Sequence, residues 1–335
     1  MQPCVKTVRP PWQGRAIIWL LVVPALAFSC ALQPPDERVE EAVTGPKLVV
    51  LGTAQDGGFP HAACACVRCE AARLDPSVAR LITSIALVDD SAAHRVLVDA
   101  GPDIRAQLEI LQSAHRERPD RVDRSPVDGV MLTHAHLGHY TGLAFFGFEA
   151  VHTTDLPVWC SAPMADYLRG NGPWSQLVRI GNILLQEIEP FKPFEPLPGI
   201  EVTAVPVPHR DEYADTFGFL IKGARSTVFY APDTDSWDHW PRPVTELLEK
   251  VDVAILDATF YSADELPGRR AEEIGHPLIA VTMDLLQPLV DSGRLQVWFT
   301  HMNHSNPVLG PDPAARNEVE RRGFHIAEDG LEFPL

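Results

Sequence analysis

An α/β fold built in two successive halves is what the sequence predicts, and three observations carry that expectation. Apolar runs of strand length recur at residues 48–53, 84–88, 95–101 and 127–132, and again at 200–209, 217–221, 226–235, 253–260 and 296–305. Runs that are apolar throughout belong to strands buried on both faces. Helix-compatible segments lie at 102–114, 162–180, 278–292 and 313–322, the second broken by Gly170-Asn171-Gly172-Pro173. With 335 residues, 45% of them apolar and 22% charged, the chain can bury one large core, and no internal repeat is visible.

The first residues stand apart from this pattern. Lys6, Arg9 and Arg15 precede an apolar run at 17–29 that is too short to span a bilayer and has the length of a signal-peptide core. Ser29-Cys30 at its end resembles a bacterial lipobox, so the expectation is an exported lipoprotein, periplasmic or membrane-anchored, with plain secretion and an uncleaved anchor as alternatives. Residues 1–30 are then signal peptide and lipobox, 31–46 an acidic, proline-bearing tether, and 47–335 the fold. A formal net charge of −17 argues against nucleic acid as a partner. The expected partner is a small-molecule substrate, and the oligomeric state stays open.

Chemistry concentrates where strands end. Thr133-His134-Ala135-His136-Leu137-Gly138-His139 follows the run at 127–132 and leads into an apolar segment, expected to be helical, with Gly142 near its start. Alternation at a strand end throws His134 and His136 to one side, and the turn into a helix can bring His139 back towards them. Three converging imidazoles make a transition-metal site. The alternative is a chance cluster of surface or core histidines.

A second motif lies upstream, past the loop Ala54-Gln55-Asp56-Gly57-Gly58-Phe59-Pro60-His61. Cys64, Cys66 and Cys69, spaced C-x-C-x-x-C, are close enough for three thiolates to face one ion, and a fourth ligand from elsewhere would close a tetrahedral structural zinc site. A disulfide with a spare thiol is the alternative in an exported protein. Cys160, inside an apolar run, is expected to be an inert core thiol.

His134-x-His136-x-x-His139 resembles the metal motif of the metallo-β-lactamase-fold hydrolases, written H-x-H-x-D-H in most of that superfamily. Together with the Leu-Gly-Thr strand end, the glycine-rich loop and C-x-C-x-x-C, it also resembles two branches of the superfamily. These are the pyrroloquinoline-quinone biosynthesis protein B group and the cyclic phosphodiesterase of the carbon–phosphorus lyase pathway. The resemblance covers residues 47–335 and implies a four-layer αββα sandwich with its metals at one edge.

It also implies roles for residues further along. His209, ending the run at 200–209, matches the fourth metal histidine, and His301 matches the last. Asp233 matches the aspartate between the two metals, with Asp235 as its competitor. One ion would then be held by His134, His136 and His209, a second by His139 and His301, with Asp233 between them. His304, by its offset from His301, matches the histidine that completes the three-cysteine zinc site. Asp99, in the Asp-x-Gly end of the strand at 95–101, is implied to support a ligand histidine, against the alternative of a turn aspartate. His276, at the start of the segment at 278–292, matches a histidine that acts on the leaving group in related phosphodiesterases and in the transfer-RNA 3′-processing ribonuclease; helix-entry packing is its alternative.

The departure from the family is Gly138, where the superfamily has an aspartate that binds the second metal. Either one catalytic ion remains, or a carboxylate from elsewhere replaces it. Asp56 is the candidate, because in this superfamily its loop borders the metal edge; Asp-Gly-Gly is also an ordinary turn sequence. The implied cofactors are a structural zinc and one or two catalytic ions of zinc, manganese or iron. The implied activity is hydrolysis of a phosphodiester or related ester by metal-activated water. Two alternatives stand beside it: an oxygen-using role like that of the quinone-biosynthesis branch, and a degenerate, lipid-anchored binding module.

Overall fold

In the first strand, β1 (Lys47–Gly52), the side chains of Leu48 and Val50 point one way and those of Val49 and Leu51 the other, yet all four are buried. A strand covered on both faces has to lie between two other layers. The computed structural model of the chain describes residues 45–113, 123, 125–266, 268 and 275–335 and has that layered form. The proposed leader, Cys30 and all but the end of the tether fall outside the described residues. Among those described, no helix is long and apolar enough to cross a membrane.

After β1 come α1 (Val67–Leu74), β2 (Ser84–Asp89), β3 (His94–Val98), α2 (Ile104–Ser113), β4 (Gly129–Met131), α3 (Leu137–Tyr140), β5 (Leu156–Cys160), α4 (Ala162–Gly170), α5 (Trp174–Arg179) and β6 (Ile183–Glu187). The second half runs β7 (Pro193–Leu197), β8 (Ile200–Pro206), β9 (Phe217–Lys222), β10 (Thr227–Ala231), α6 (Val244–Leu248), β11 (Val253–Asp257), α7 (Ile279–Asp291), β12 (Gln296–Thr300), α8 (Ala314–Arg321), β13 (His325–Ile326) and β14 (Glu332–Pro334). Two seven-stranded sheets result, in the orders β14-β1-β2-β3-β4-β5-β6 and β13-β12-β11-β10-β9-β8-β7. Each is mixed, with parallel pairing along β3-β4-β5-β6 and β10-β11-β12-β13.

The inner faces of the sheets meet in one apolar layer, with Leu48, Ile85 and Val96 of the first against Phe219, Val228 and Ile255 of the second. The outer face of the first sheet packs on α2 and α4 through Leu97, Ile104, Leu108 and Met164. That of the second packs on α6, α7 and α8 through Phe229, Leu256, Leu248, Met283 and Val319. Helix α7 forms because Ile279, Met283 and Leu286 recur at helical spacing and all three bury against this sheet. Each such side chain contributes about 1.5–3 kcal/mol relative to an exposed one. The four-layer αββα sandwich expected from the sequence is therefore the observed fold.

Two local expectations are corrected. The segment after the histidine motif is not a long helix: α3 has four residues and passes into a 3-10 stretch, Thr141–Phe146. Strands β6 and β7 carry no strong alternation and were not expected, since β6 is half exposed and β7 holds two prolines at a sheet edge. The charged loop expected at 115–126 lies largely outside the described residues.

The turn after β3 and the start of α3 interlock backbone to backbone. Ala100 N–H donates to His139 O at 2.7 Å, and Gly142 N–H donates to Ala100 O at 2.7 Å. A Cβ on Gly101 would lie 2.0 Å from the carbonyl oxygen of Gly138, so only glycine permits this approach. Gly101→Ala is expected to destabilise the domain by about 1–3 kcal/mol through overpacking. Calorimetry should show a melting temperature lower by several degrees, with reduced metal content, because the turn that carries His139 has to move.

Candidate metal centre

Strand ends of both sheets deliver the polar residues to one edge. His134 and His136 follow β4, His209 follows β8, Asp233 follows β10, and His301 follows β12. Five imidazoles face a single carboxylate oxygen, Asp233 Oδ2. His209 Nε2 lies 3.2 Å from it, His134 Nε2 3.3 Å, His301 Nε2 3.7 Å, His136 Nδ1 3.8 Å and His139 Nε2 3.9 Å. Asp235, the competitor from the sequence, instead faces His239, with its Oδ2 2.9 Å from that ring's Nδ1.

The donors fall into two groups on either side of Asp233 Oδ2, which lies within 3.9 Å of a histidine nitrogen of each. In the first, His134, His136, His209 and Asp233 bring their ligand atoms together, with His209 Nε2 3.0 Å from His136 Nδ1. In the second, Asp56 Oδ1 lies 3.6 Å from His139 Nε2 and 4.0 Å from His301 Nε2. Tetrahedral nitrogens about 2.0–2.1 Å from an ion stand about 3.3 Å apart. The first group matches that spacing and the second is slightly wider. The fit is also chemical: Asp56 Oδ1, His134 Nε2, His139 Nε2 and His301 Nε2 are buried with no hydrogen-bond partner. Buried polar atoms of native proteins are nearly all satisfied, so four orphans aimed at common points mark where cations fit.

Hydrogen bonding behind the rings sets which nitrogen faces inward. Asp99, at the end of β3, is wholly buried and accepts from Thr133 N at 2.8 Å, from Thr133 Oγ1 at 2.8 Å and from His139 Nδ1 at 2.7 Å. A carboxylate only accepts, so the Thr133 hydroxyl gives its proton to Asp99, and its oxygen takes the Nδ1–H of His134 at 2.9 Å. Both His134 and His139 thereby keep Nδ1–H on the outer side and turn Nε2 towards the cluster. Asp257, at the end of β11, repeats the device. It accepts from Thr259 N at 2.8 Å, Thr259 Oγ1 at 2.7 Å and His276 Nδ1 at 2.8 Å, while Thr259 Oγ1 takes His301 Nδ1–H at 2.9 Å. Glu212 Oε2 accepts from His136 Nε2 at 2.9 Å, which turns Nδ1 of that ring inward. The outward Nδ1 of His209 has no partner.

Asp99 and His301 hold their positions with φ of +65° and +61°, a region disfavoured for residues with a side chain. Strand-terminal residues in that conformation turn their side chains out of the strand's alternation and into the site. The charge balance follows the same geometry. Burial opposes protonation of His139, but Asp99, Asp56 and Asp233 outweigh it and raise its pKa to about 9. Burial alone would raise the Asp233 pKa; His301 and His276 instead hold it well below the ordinary carboxylate range. The edge attracts positive charge.

Every site residue expected from the sequence lies at this edge or at the cysteine knuckle. Thr133, Asp257, Thr259 and Glu212 were missed. Asp257 at a strand end was the one visible signal; a threonine beside a histidine and a glutamate on an exposed loop carry none.

At the knuckle, Cys64, Cys66, Cys69 and His304 bring their donor atoms within 4.8 Å of one another. Zinc–sulfur and zinc–nitrogen bonds of about 2.3 and 2.05 Å at a tetrahedral angle separate sulfur and nitrogen by about 3.6 Å. His304 Nδ1 lies 3.6 Å from Cys64 Sγ and 3.7 Å from Cys66 Sγ. The backbone N–H of Cys69 pulls the Cys66 thiol down to about 6, so it is largely thiolate at neutral pH, whereas burial pushes Cys69 up to about 11. None of the described cysteines is in a disulfide, and Cys160 is a buried thiol pushed up to about 12 by desolvation. The knuckle fastens the loop after β1 to the chain just beyond β12. Cys66→Ser is expected to remove one zinc per chain and lower the melting temperature, both read on the same sample by elemental analysis and calorimetry. Unchanged zinc content would exclude the site.

Comparison with known proteins identifies the family and the fold. The β-lactamase superfamily domain matches residues 94–311. The coenzyme PQQ synthesis protein B of Pseudomonas putida (strain GB-1) is 31% identical over 311 residues, covering 85% of this chain and 99% of the relative. The Zn(2+)-bound PqqB from Methylobacterium extorquens superposes with a TM-score of 0.73 at 25% identity, covering 86% of this chain and 100% of that one. A diphosphatase of the PhnP family shares the fold, with a TM-score of 0.61 at 22% identity over 87% of this chain and 98% of its own. The αββα sandwich, the histidine and aspartate strand ends and these matches together make the chain a member of the metallo-β-lactamase-fold superfamily, with PqqB proteins among its homologues.

Proposed function

We propose that the protein is a metal-dependent hydrolase of a phosphodiester or related ester. In this reading His134, His136 and His209 hold one ion, His139 and His301 hold another, and Asp233 lies between them. The observation that carries it is that Asp233 Oδ2 lies 3.2–3.8 Å from the ring nitrogens of His134, His136 and His209 and 3.7–3.9 Å from those of His301 and His139. Zinc or a comparable ion would supply Lewis acidity there and would bring the pKa of its water from about 15.7 towards 7.

The chain's own residues do the rest. Asp99 and Asp257, through Thr133 and Thr259, fix the tautomers of His134 and His301, so no reorientation is needed when substrate arrives. His276, its side chain 16% exposed, has Nδ1 held by Asp257 at 2.8 Å and lying 3.3 Å from Asp233 Oδ1. That arrangement leaves its opposite nitrogen to hand a proton to the departing oxygen, as a general acid does.

A second reading, an oxygen-using role like that of the quinone-biosynthesis branch, draws on the identity shared with coenzyme PQQ synthesis proteins along most of the chain. The two are separated by loading the purified domain with zinc, manganese or iron and screening phosphodiesters, lactones and thioesters while recording oxygen uptake. Hydrolysis with zinc and no oxygen uptake supports the first reading; oxygen uptake with iron and no hydrolysis supports the second. For the hydrolase, His276→Ala is expected to lower kcat by about 10²–10⁴-fold on esters with poor leaving groups. A nitrophenyl ester, whose leaving oxygen needs no proton, should lose much less. Equal losses on both would remove the acid role.

A further inference from the structure

We propose that Asp56 is the second ion's carboxylate ligand, moved from the start of α3 to the loop after β1, and that residues 56 and 138 can supply that ligand only one at a time. This rests on the two-ion reading above and adds the missing member of the second donor set.

The case begins with why residue 138 is glycine. Gly138 is not among the glycines with positive φ, so its backbone would accept any residue. What excludes a side chain is space already taken: a Cβ at 138 would lie 2.1 Å from Asp56 Oδ1, 2.9 Å from its Cγ and 3.0 Å from its Cα. The carboxylate of Asp56 therefore fills the volume into which a residue at 138 would project. From there its Oδ1 reaches His139 Nε2 at 3.6 Å and His301 Nε2 at 4.0 Å.

The turn-forming explanation of Asp56 does not account for this placement. Oδ1 is buried and accepts no hydrogen bond, whereas an aspartate stabilising its own turn uses that oxygen on a backbone N–H. The two glycines that follow have separate causes. A Cβ on Gly57 would lie 2.2 Å from the His61 ring, and Gly58 has a φ of +73°.

The loop is also rigid enough to hold a ligand. Thr53 and Ala54 donate their N–H groups to Leu81 O at 2.9 Å, Met302 N–H donates to Thr53 O at 2.9 Å, and Gln55 N–H donates to Met302 O at 3.0 Å. Asp56 is thus tethered to the residue next to His301, its neighbour in the second donor group. A carboxylate delivered by a pinned backbone needs no ordering when an ion binds.

The experiment measures zinc per chain by elemental analysis, after zinc loading and gel filtration, in wild type, Asp56→Ala, Asp56→Asn, Gly138→Asp, the pair Asp56→Ala with Gly138→Asp, and His139→Ala. Thermal unfolding is recorded on each. Wild type should hold about three zincs, counting the cysteine site, and Asp56→Ala and Asp56→Asn about two, as should His139→Ala. Gly138→Asp alone should melt lower than wild type with no gain of zinc, because its side chain meets Asp56. The pair should regain both zinc and melting temperature relative to Gly138→Asp, a coupling that independent sites do not show. Three zincs in Asp56→Asn beside two in His139→Ala would overturn the role of Asp56 and leave the two-ion centre standing. Only two zincs in wild type would overturn both.

Discussion

Five imidazoles around one buried carboxylate oxygen, Asp233 Oδ2, are the constraint to which the rest of the structure answers. A buried donor or acceptor left without a partner costs about 1–3 kcal/mol, and four such atoms point into this cluster. No short peptide could hold them there. The cost is met by two sheets whose common apolar layer fixes the strand ends, so that residues from β4, β8, β10 and β12 arrive at one edge already aimed.

The halves solve the aiming problem in the same way. Asp99 with Thr133 and Asp257 with Thr259 are each a fully buried carboxylate and hydroxyl behind two histidines. In each, the carboxylate's inability to donate runs the chain of protons outward on the Nδ1 side, which fixes the orientation of both rings. The difference lies in what the second histidine does. His139 turns its Nε2 to the second donor group, 3.6 Å from Asp56 Oδ1, whereas His276 keeps its Nδ1 beside Asp233 Oδ1. One device thus serves both metal holding and proton delivery in the proposed reaction.

The cysteine knuckle belongs to the same mechanical system. Cys64 to Cys69 and His304 join the chain a few residues past Asp56 to the chain a few residues past His301. The loop that carries Asp56 is therefore held at both ends, by the bridge to Met302 and by the knuckle. Asp56 as a ligand turns on that stiffness: a mobile loop would lose much of its binding to the entropy of ordering.

Much of this was legible in the residues themselves. Apolar runs ending in histidine or aspartate determined the buried strands and their polar tips, because a strand covered on both faces has no place for polar groups except at its ends. The spacings of His134, His136 and His139 and of Cys64, Cys66 and Cys69 determined two local donor sets, since side-chain alternation and a tight turn act within a few residues. The short α3, the edge strands β6 and β7, and the supports Thr133, Thr259 and Glu212 were not legible, because each depends on neighbours distant in the chain. Asp56 marks the boundary. Its sequence is equally that of a turn, and what separates ligand from turn is that its carboxylate lies in the space a residue at 138 would fill, 82 positions away, a proximity that only the tertiary structure decides, by laying the loop after β1 against the start of α3.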